Sequence, residues 1–285
     1  MTIDIAITPR LDRPRRRPNG LIAICVVLLA AVVFLAFFGR LVSPYDPGQQ
    51  DLGLGLSGPS AAHLFGTDAL GRDILSRLLA GTASAVAGPL TIAVGSLLIG
   101  SILGLIAGYR GGVIDAIIMR TADLVFSLPG TLVIIVVAGA FGGGYWLAVA
   151  LLVVLTVPAD IRLVRGAVLE QVPRPYVEAA KSIGVSDLRV MIWHIGPNVA
   201  PVAIANLSIQ FAGALVALAG LSFLGLGVPP GTADWGLMVA EGRSLLFVNP
   251  VAVLAPAVLI VVTATIVSIL GDWGYERLSS KGATR

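Results

Sequence analysis

The chain has 285 residues, of which 56% are hydrophobic and only 12% charged, against roughly 25% charged in an ordinary soluble domain. That composition excludes a soluble globule, and a net charge of +3 spread over particular loops does not describe a nucleic-acid-binding face. Continuous apolar runs of about 18 residues or more indicate an all-α polytopic membrane protein, because the strands of a β-barrel would alternate over about 10 residues.

Residues 1–20 carry Arg10, Arg13, Arg15, Arg16 and Arg17 among prolines, a positive tail poorly suited to regular structure. The uncharged run from Leu21 to Phe38 follows at once. It is longer than a signal-peptide core of about 7–15 residues, so 21–42 is expected to be an uncleaved first helix with its N-terminus in the cytoplasm. Its Cys25 is the only cysteine, which excludes an internal disulfide framework or a cysteine-built metal site.

Residues 43–82 are polar, with Pro44, Pro47 and Pro59, and are expected to be extracytoplasmic. Asp68 is a candidate N-cap for a short surface-lying helix with Ile74, Leu75, Leu78 and Leu79 on one side and Arg72, Asp73 and Arg77 on the other. His63, a lone loop histidine beside Asp68, is read as structural rather than as a metal ligand.

Residues 83–272 hold five further spans. The second, about 84–108, is rich in glycines that allow neighbouring helices to approach closely. The third, about 122–141, includes Pro129. The fourth, about 145–159, opens on Tyr145 and Trp146, suited to an interfacial anchor, and ends at Pro158. The fifth, about 199–222, holds Asn206 and Gln210, which either hydrogen-bond between helices or line a pathway. A Gly- and Pro-broken stretch at 221–246, with Trp235 and Met238 packed at its surface, is expected to be re-entrant or surface-lying. The sixth span, about 251–270, leads to a cytoplasmic tail at 273–285.

This topology passes a charge test. Fifteen of the nineteen lysines and arginines fall in the N-terminal tail, the 109–121 and 160–198 loops and the C-terminal tail, leaving Arg40, Arg72, Arg77 and Arg243 for the other side. The asymmetry places both termini and the 160–198 loop in the cytoplasm.

A charge-bearing segment between two strongly apolar runs is PRPYVEAAKSIGVSDLRVMIWHIGPNVAP, 173–201. It reads as a helix from Tyr176 to Ile183, a turn at Gly184, and a second helix capped by Ser186 or Asp187. That makes a compact cytoplasmic module.

The chain has no GxxxxGK[ST] phosphate loop, GxSxG elbow or HExxH helix, so neither ATP hydrolysis nor an intramembrane hydrolase is expected. Asp123 and Asp160 lie near cytoplasmic helix ends, where Arg120 and Arg162 are available to pair with them, which disfavours a proton relay. A standalone transporter or channel is the alternative of a different class, and it predicts movement of solute without ATP. A pathway subunit moved from outside instead requires a cytoplasmic handle.

The EAAKSIG segment, with Ile195, Gly196 and Pro197 beyond it, resembles the EAA loop of the membrane subunits of type I ABC importers. Glu178, Ala179, Ala180 and Gly184 match, while Gly196 replaces the usual Leu before the closing proline. Together with HLFGTDALGRDILSRLLAG at 63–81, LSFLGLGVPP at 221–230 and DWGLMVAEGR at 234–243, the chain beyond residue 40 resembles the C-type permease subunit of dipeptide, oligopeptide and nickel importers.

The resemblance implies six transmembrane helices in the type I importer permease fold and a place in a bacterial cytoplasmic membrane. It implies peptide import, with nickel or another small solute as the alternative. It also implies a coupling loop of Glu178, Ala179, Ala180, Gly184, Ser186, Asp187, Arg189, Ile195 and Pro197, with Ala179 and Ala180 leaving room for a partner groove. The partners it implies are a B-type permease subunit, one or two ATPase subunits that hold the ATP and Mg, and an extracytoplasmic solute-binding protein. No catalytic residue, cofactor or metal is expected in this chain.

Overall fold

Every long apolar run is helical. The structure, a computed structural model, describes residues 19–282; the Arg-rich stretch ahead of them, the Lys281 side chain and Arg285 lie outside the described residues. The helices are α1 (Asn19–Val42), α2 (Ile74–Arg110), α3 (Gly112–Ser127), α4 (Gly130–Phe141), α5 (Tyr145–Gln171), α6 (Pro175–Ser182), α7 (Asp187–Arg189), α8 (Gly196–Phe223), α9 (Trp235–Gly242) and α10 (Val251–Gly282). Among the described residues there is no strand, only an isolated bridge between Thr67 and Asp73. Among the described residues five helical stretches are long and apolar enough to cross a membrane, and the pair α3 and α4, bent by 78° at its break, makes a sixth if taken as one span.

Helix boundaries differ from expectation at Pro158 and at the start of α2. α5 runs through Pro158 to Gln171 instead of stopping there, and α2, α8 and α10 likewise contain Pro89, Pro201 and Pro256. A proline deletes one backbone donor, a loss that packed membrane helices accommodate. The separate surface helix does not exist: its residues are the first turns of α2, whose 37 residues span about 55 Å against a hydrocarbon core of about 30 Å.

The cap of α2 is Asp73, not Asp68. Its Oδ2 accepts from the Ser76 amide at 2.8 Å and the Ser76 hydroxyl at 2.7 Å, and its Oδ1 meets His63 Nδ1 at 2.9 Å. Asp68 serves another purpose. Its Oδ2 takes Arg72 Nε and Arg77 Nη1, both at 2.6 Å, and Glu241 of α9 takes Arg72 Nη2 and Arg77 Nη1, both at 2.8 Å. Arg72 and Arg77 are therefore 3% and 1% exposed, not on a solvent face. They bind the start of α2 to α9 and to the Gly231 and Thr232 carbonyls.

This ion cluster sits beside an apolar one of Ile74, Leu78, Phe211, Leu215, Trp235 and Met238. Trp235 and Met238 are thus buried rather than packed at the surface, with Trp235 Nε1 donating to the Leu78 carbonyl at 3.0 Å.

Among apolar lipid tails, helices gain little from burying apolar side chains, and close backbone approach matters more. α2 supplies it with glycine. A Cβ at Gly100 would overlap Asp160 of α5, one at Gly104 would lie 2.8 Å from the Ile161 carbonyl oxygen, and one at Gly108 2.8 Å from the Val168 side chain. At the far end of the same contact, Tyr145 hydrogen-bonds the Ser84 carbonyl, while Trp146 is exposed. α5 is tied to α3 as well, through Arg165 bidentate on Asp115 and Arg162 on Asp123 at 2.7 Å.

Candidate functional site

Between α5 and α8 lies the segment 172–195. Pro175 forces an extended Arg174 (φ −77°, ψ 143°), since the residue before proline avoids the helical region, and itself starts α6. Glu178 falls in the first turn of α6, where a carboxylate suits the helix dipole. α6 ends in a Schellman motif: the Val185 amide reaches the Ala180 carbonyl at 3.1 Å and the Gly184 amide reaches Lys181 at 3.0 Å. Gly184 takes φ +79°, a left-handed conformation that glycine adopts without penalty.

The second helix starts after Ser186, whose carbonyl accepts from Val190 at 3.0 Å but whose hydroxyl makes no capping bond. After α7 the chain widens into a π-helix over Val190–Ile195 and passes directly into α8. Gly196 and Pro197 are therefore helical. The Gly196 amide bonds the Met191 carbonyl, and the wide turn absorbs Pro197, which has no amide to give. A Cβ at Gly196 would stand 3.2 Å from the Met191 oxygen.

The expected site residues divide between two faces. Glu178, Ala179, Gly184, Ser186, Asp187, Arg189 and Pro197 are exposed, and neither Glu178 nor Arg189 forms an ion pair among the described residues. Ala180 and Ile195 point inward, into a cluster with Val164, Val168, Val177, Val190 and Val199. Ala180 thus packs the protein's own interior and leaves only Ala179 open to a partner. Asn206 and Gln210 are not part of this surface; they lie further along α8, both on Asp160, with Nδ2 and Nε2 at 2.7 and 3.1 Å from its Oδ1. Among the described residues Asp160 pairs with these amides and with no arginine, whereas Asp123 does take Arg162.

Sequence reasoning missed two features of the surface. One is Tyr109 at the end of α2, whose hydroxyl donates to Asp187 Oδ1 at 2.8 Å and whose ring lies 4.8 Å from Lys181 Nζ. Its partners are 72 or more residues away in sequence, so no local pattern points to it. The other is an apolar rim of Ile183, Leu188 and Trp193, exposed by 81%, 63% and 73%. Three large apolar residues inside a charged loop were the available signal.

Residues 100–281 match the family described as binding-protein-dependent transport system inner membrane component. The chain belongs to that family. The permease is 38% identical over 258 residues, 90% of its length and 84% of the relative's, to the glutathione transport system permease protein GsiD of Pectobacterium atrosepticum. It is 34% identical over 255 residues, 90% of its length and 86% of the relative's, to the probable D,D-dipeptide transport system permease protein DdpC of Escherichia coli K12. In fold it is similar to a chain of the inward-facing MetNI methionine ABC transporter, with a TM-score of 0.58 and 16% identity, covering 70% of the permease and 95% of that chain. The permease is an all-helical, multi-pass inner-membrane subunit of an ABC import system with the type I importer permease fold.

Proposed function

We propose that the permease forms half of the translocation path of an ATP-driven peptide importer and is moved through the 172–195 surface by an ATPase subunit. The observation that carries the substrate class is the 38% and 34% identity, over 90% of the chain, to permeases named for glutathione and D,D-dipeptide transport. The exposed rim of Ile183, Leu188 and Trp193, flanked by the unpaired Glu178 and Arg189, has the composition of a protein contact: an apolar centre with charge at its edge.

In this reading the partners are a B-type permease subunit, one or two ATPase subunits that bind ATP and Mg, and an extracytoplasmic solute-binding protein. The distribution of lysine and arginine supports cytoplasmic termini and a cytoplasmic loop. Closure of the ATPase subunits on ATP draws the loops together and rocks the spans as rigid bodies. The buried Ala180 and Ile195 belong to the handle's own packing, and Glu178, Ala179, Gly184 and Arg189 to its outer face.

The test is uptake by proteoliposomes holding the permease with the subunits that co-purify with it. ATP-dependent accumulation of labelled glutathione or dialanine is the expected result. Accumulation of nickel alone would replace the substrate, and solute movement through the purified chain without ATP would replace the mechanism with a carrier or channel.

A further inference from the structure

α5 and α8 are joined in sequence only by the 172–195 segment, and they meet again inside the bundle at Asp160. This side chain is fully buried; Oδ1 takes both amide donors, from Asn206 and Gln210, and Oδ2 has no hydrogen-bond partner. Asn206 and Gln210 stand four residues apart, on one face of α8. One oxygen of α5 therefore holds two points of α8 and sets both its rotation and its height. α2 backs the contact, because Asp160 fills the space a Cβ at Gly100 would need.

The contact also has a position relative to the loop. Asp160 lies eleven residues before the end of α5 at Gln171 and Asn206 ten residues after the start of α8 at Gly196, arms of about 16 and 15 Å. The space between the arms is filled by one apolar cluster that includes Val164 and Val168 of α5, Val177 of α6, Ile195, and Val199 and Ala203 of α8. Loop and arms are thus packed as one body closed at the far end by Asp160. An apolar contact would hold two helices together as well. A buried polar contact adds a single permitted register, and a carboxyl group within a membrane helix is costly enough that its presence needs such a reason.

We infer that Asp160 is a positioning residue for transport. By fixing α8 to α5 in one register it makes the 172–195 segment and its two arms a single lever. A push on the loop then moves the membrane halves of both helices instead of being absorbed as slippage between them. The inference rests on the reading of the loop as the ATPase contact.

The test uses the complete transporter in a Cys25→Ser background, with spin labels on cysteines placed at Ser182 of the loop and Ile209 of α8. The distance between them is measured without nucleotide and after trapping with ATP and vanadate. It is expected to hold within about 3 Å, two residues of helical rise, in the parent. It should hold equally in the double variant Asp160→Asn with Asn206→Asp, which exchanges the carboxylate and the amide. In Asp160→Ala the distribution is expected at least to double in width while the ATPase subunit still co-purifies; if that variant does not assemble, Gln210→Leu is read in the same way. A parent distance that changes between the two states overturns the inference. So does a truncation variant as narrow as the parent, or an exchange variant as broad as the truncation. Failure of the loop reading is visible separately, as retention of the ATPase subunit by a Gly184→Val complex.

Discussion

Tyr109 and Asp187, 78 residues apart, are joined by a 2.8 Å hydrogen bond that ties the end of α2 to the first turn beyond Gly184, while Lys181 covers the tyrosine ring from the other arm of the loop. The outer half of the loop is otherwise held by few long-range polar contacts. Tyr109→Phe keeps the ring and deletes the hydroxyl, a loss of about 1 kcal/mol for a hydrogen bond of this kind. Amide exchange over residues 185–190 is expected to accelerate about fivefold, the equivalent of about 1 kcal/mol, with exchange in α10 unchanged. Equal protection in the variant and the parent would show that the bond carries no weight.

Gly184 separates conformational cost from steric cost. Nothing lies within 4 Å of where its Cβ would stand, yet its φ is +79°. A side chain there has room but the wrong backbone, at about 1–2 kcal/mol for an ordinary L-residue. Gly184→Val is expected to unseat the Schellman turn and cut ATPase co-purification at least tenfold, and Gly184→Asn, which tolerates the left-handed region, to keep most of it. Equal loss in both would point to the volume of the side chain instead.

The Asp68 cluster and the Asp123–Arg162 pair should respond very differently to truncation. Asp68→Ala leaves Arg72 and Arg77 buried with only Glu241 as counter-charge; breaking such a buried pair costs about 3–5 kcal/mol. Asp123→Ala removes an exposed pair, worth less than about 1 kcal/mol. Thermal unfolding of the detergent-purified permease is expected to fall sharply for the first and hardly at all for the second, and similar midpoints would refute the ranking.

Within α2, Gly95 and Gly100 look alike in sequence and differ in space. A Cβ at Gly95 would touch Val153 at 3.4 Å, an ordinary contact, whereas at Gly100 it would overlap Asp160. Gly95→Ala is expected to be neutral or stabilising by up to about 1 kcal/mol, the gain in helix propensity. Gly100→Ala should lose about 1–3 kcal/mol through overpacking. Melting temperatures of the two single variants decide it.

What was legible beforehand followed from local physics. Apolar runs located the spans because a lipid-crossing helix is written in one contiguous stretch, and Gly184 was readable because a left-handed turn is a property of one residue. Proline misled at Pro158 because its rule as a helix stop comes from water, where the freed carbonyl is cheaply solvated, rather than from a packed membrane helix. In the sequence Asp68 reads as the cap and Asp73 as part of a polar helix face, and the structure reverses this, with Asp73 as the cap. The choice was made by Glu241, far along the chain, which together with Asp68 encloses two arginines. Ala179 and Ala180 could not be told apart because an eight-residue helix is too short for its pattern to declare an inner face, and the partners of Asn206 and Gln210 lie on another helix.

The 78° break between α3 and α4 has a consequence for how the molecule meets its surroundings. Around Leu128 and Pro129 the helical ladder is interrupted and the residues are exposed, and interrupted backbone is not found bare against hydrocarbon. Taken as one span, α3 and α4 therefore mark a side that must be wet or covered by another protein. The outer aspect of α1, with Phe37 and Leu41 bare, suits lipid. The kink thus gives the permease a compass bearing within the plane of the bilayer, separating the flank that faces fat from the flank that faces cargo or company.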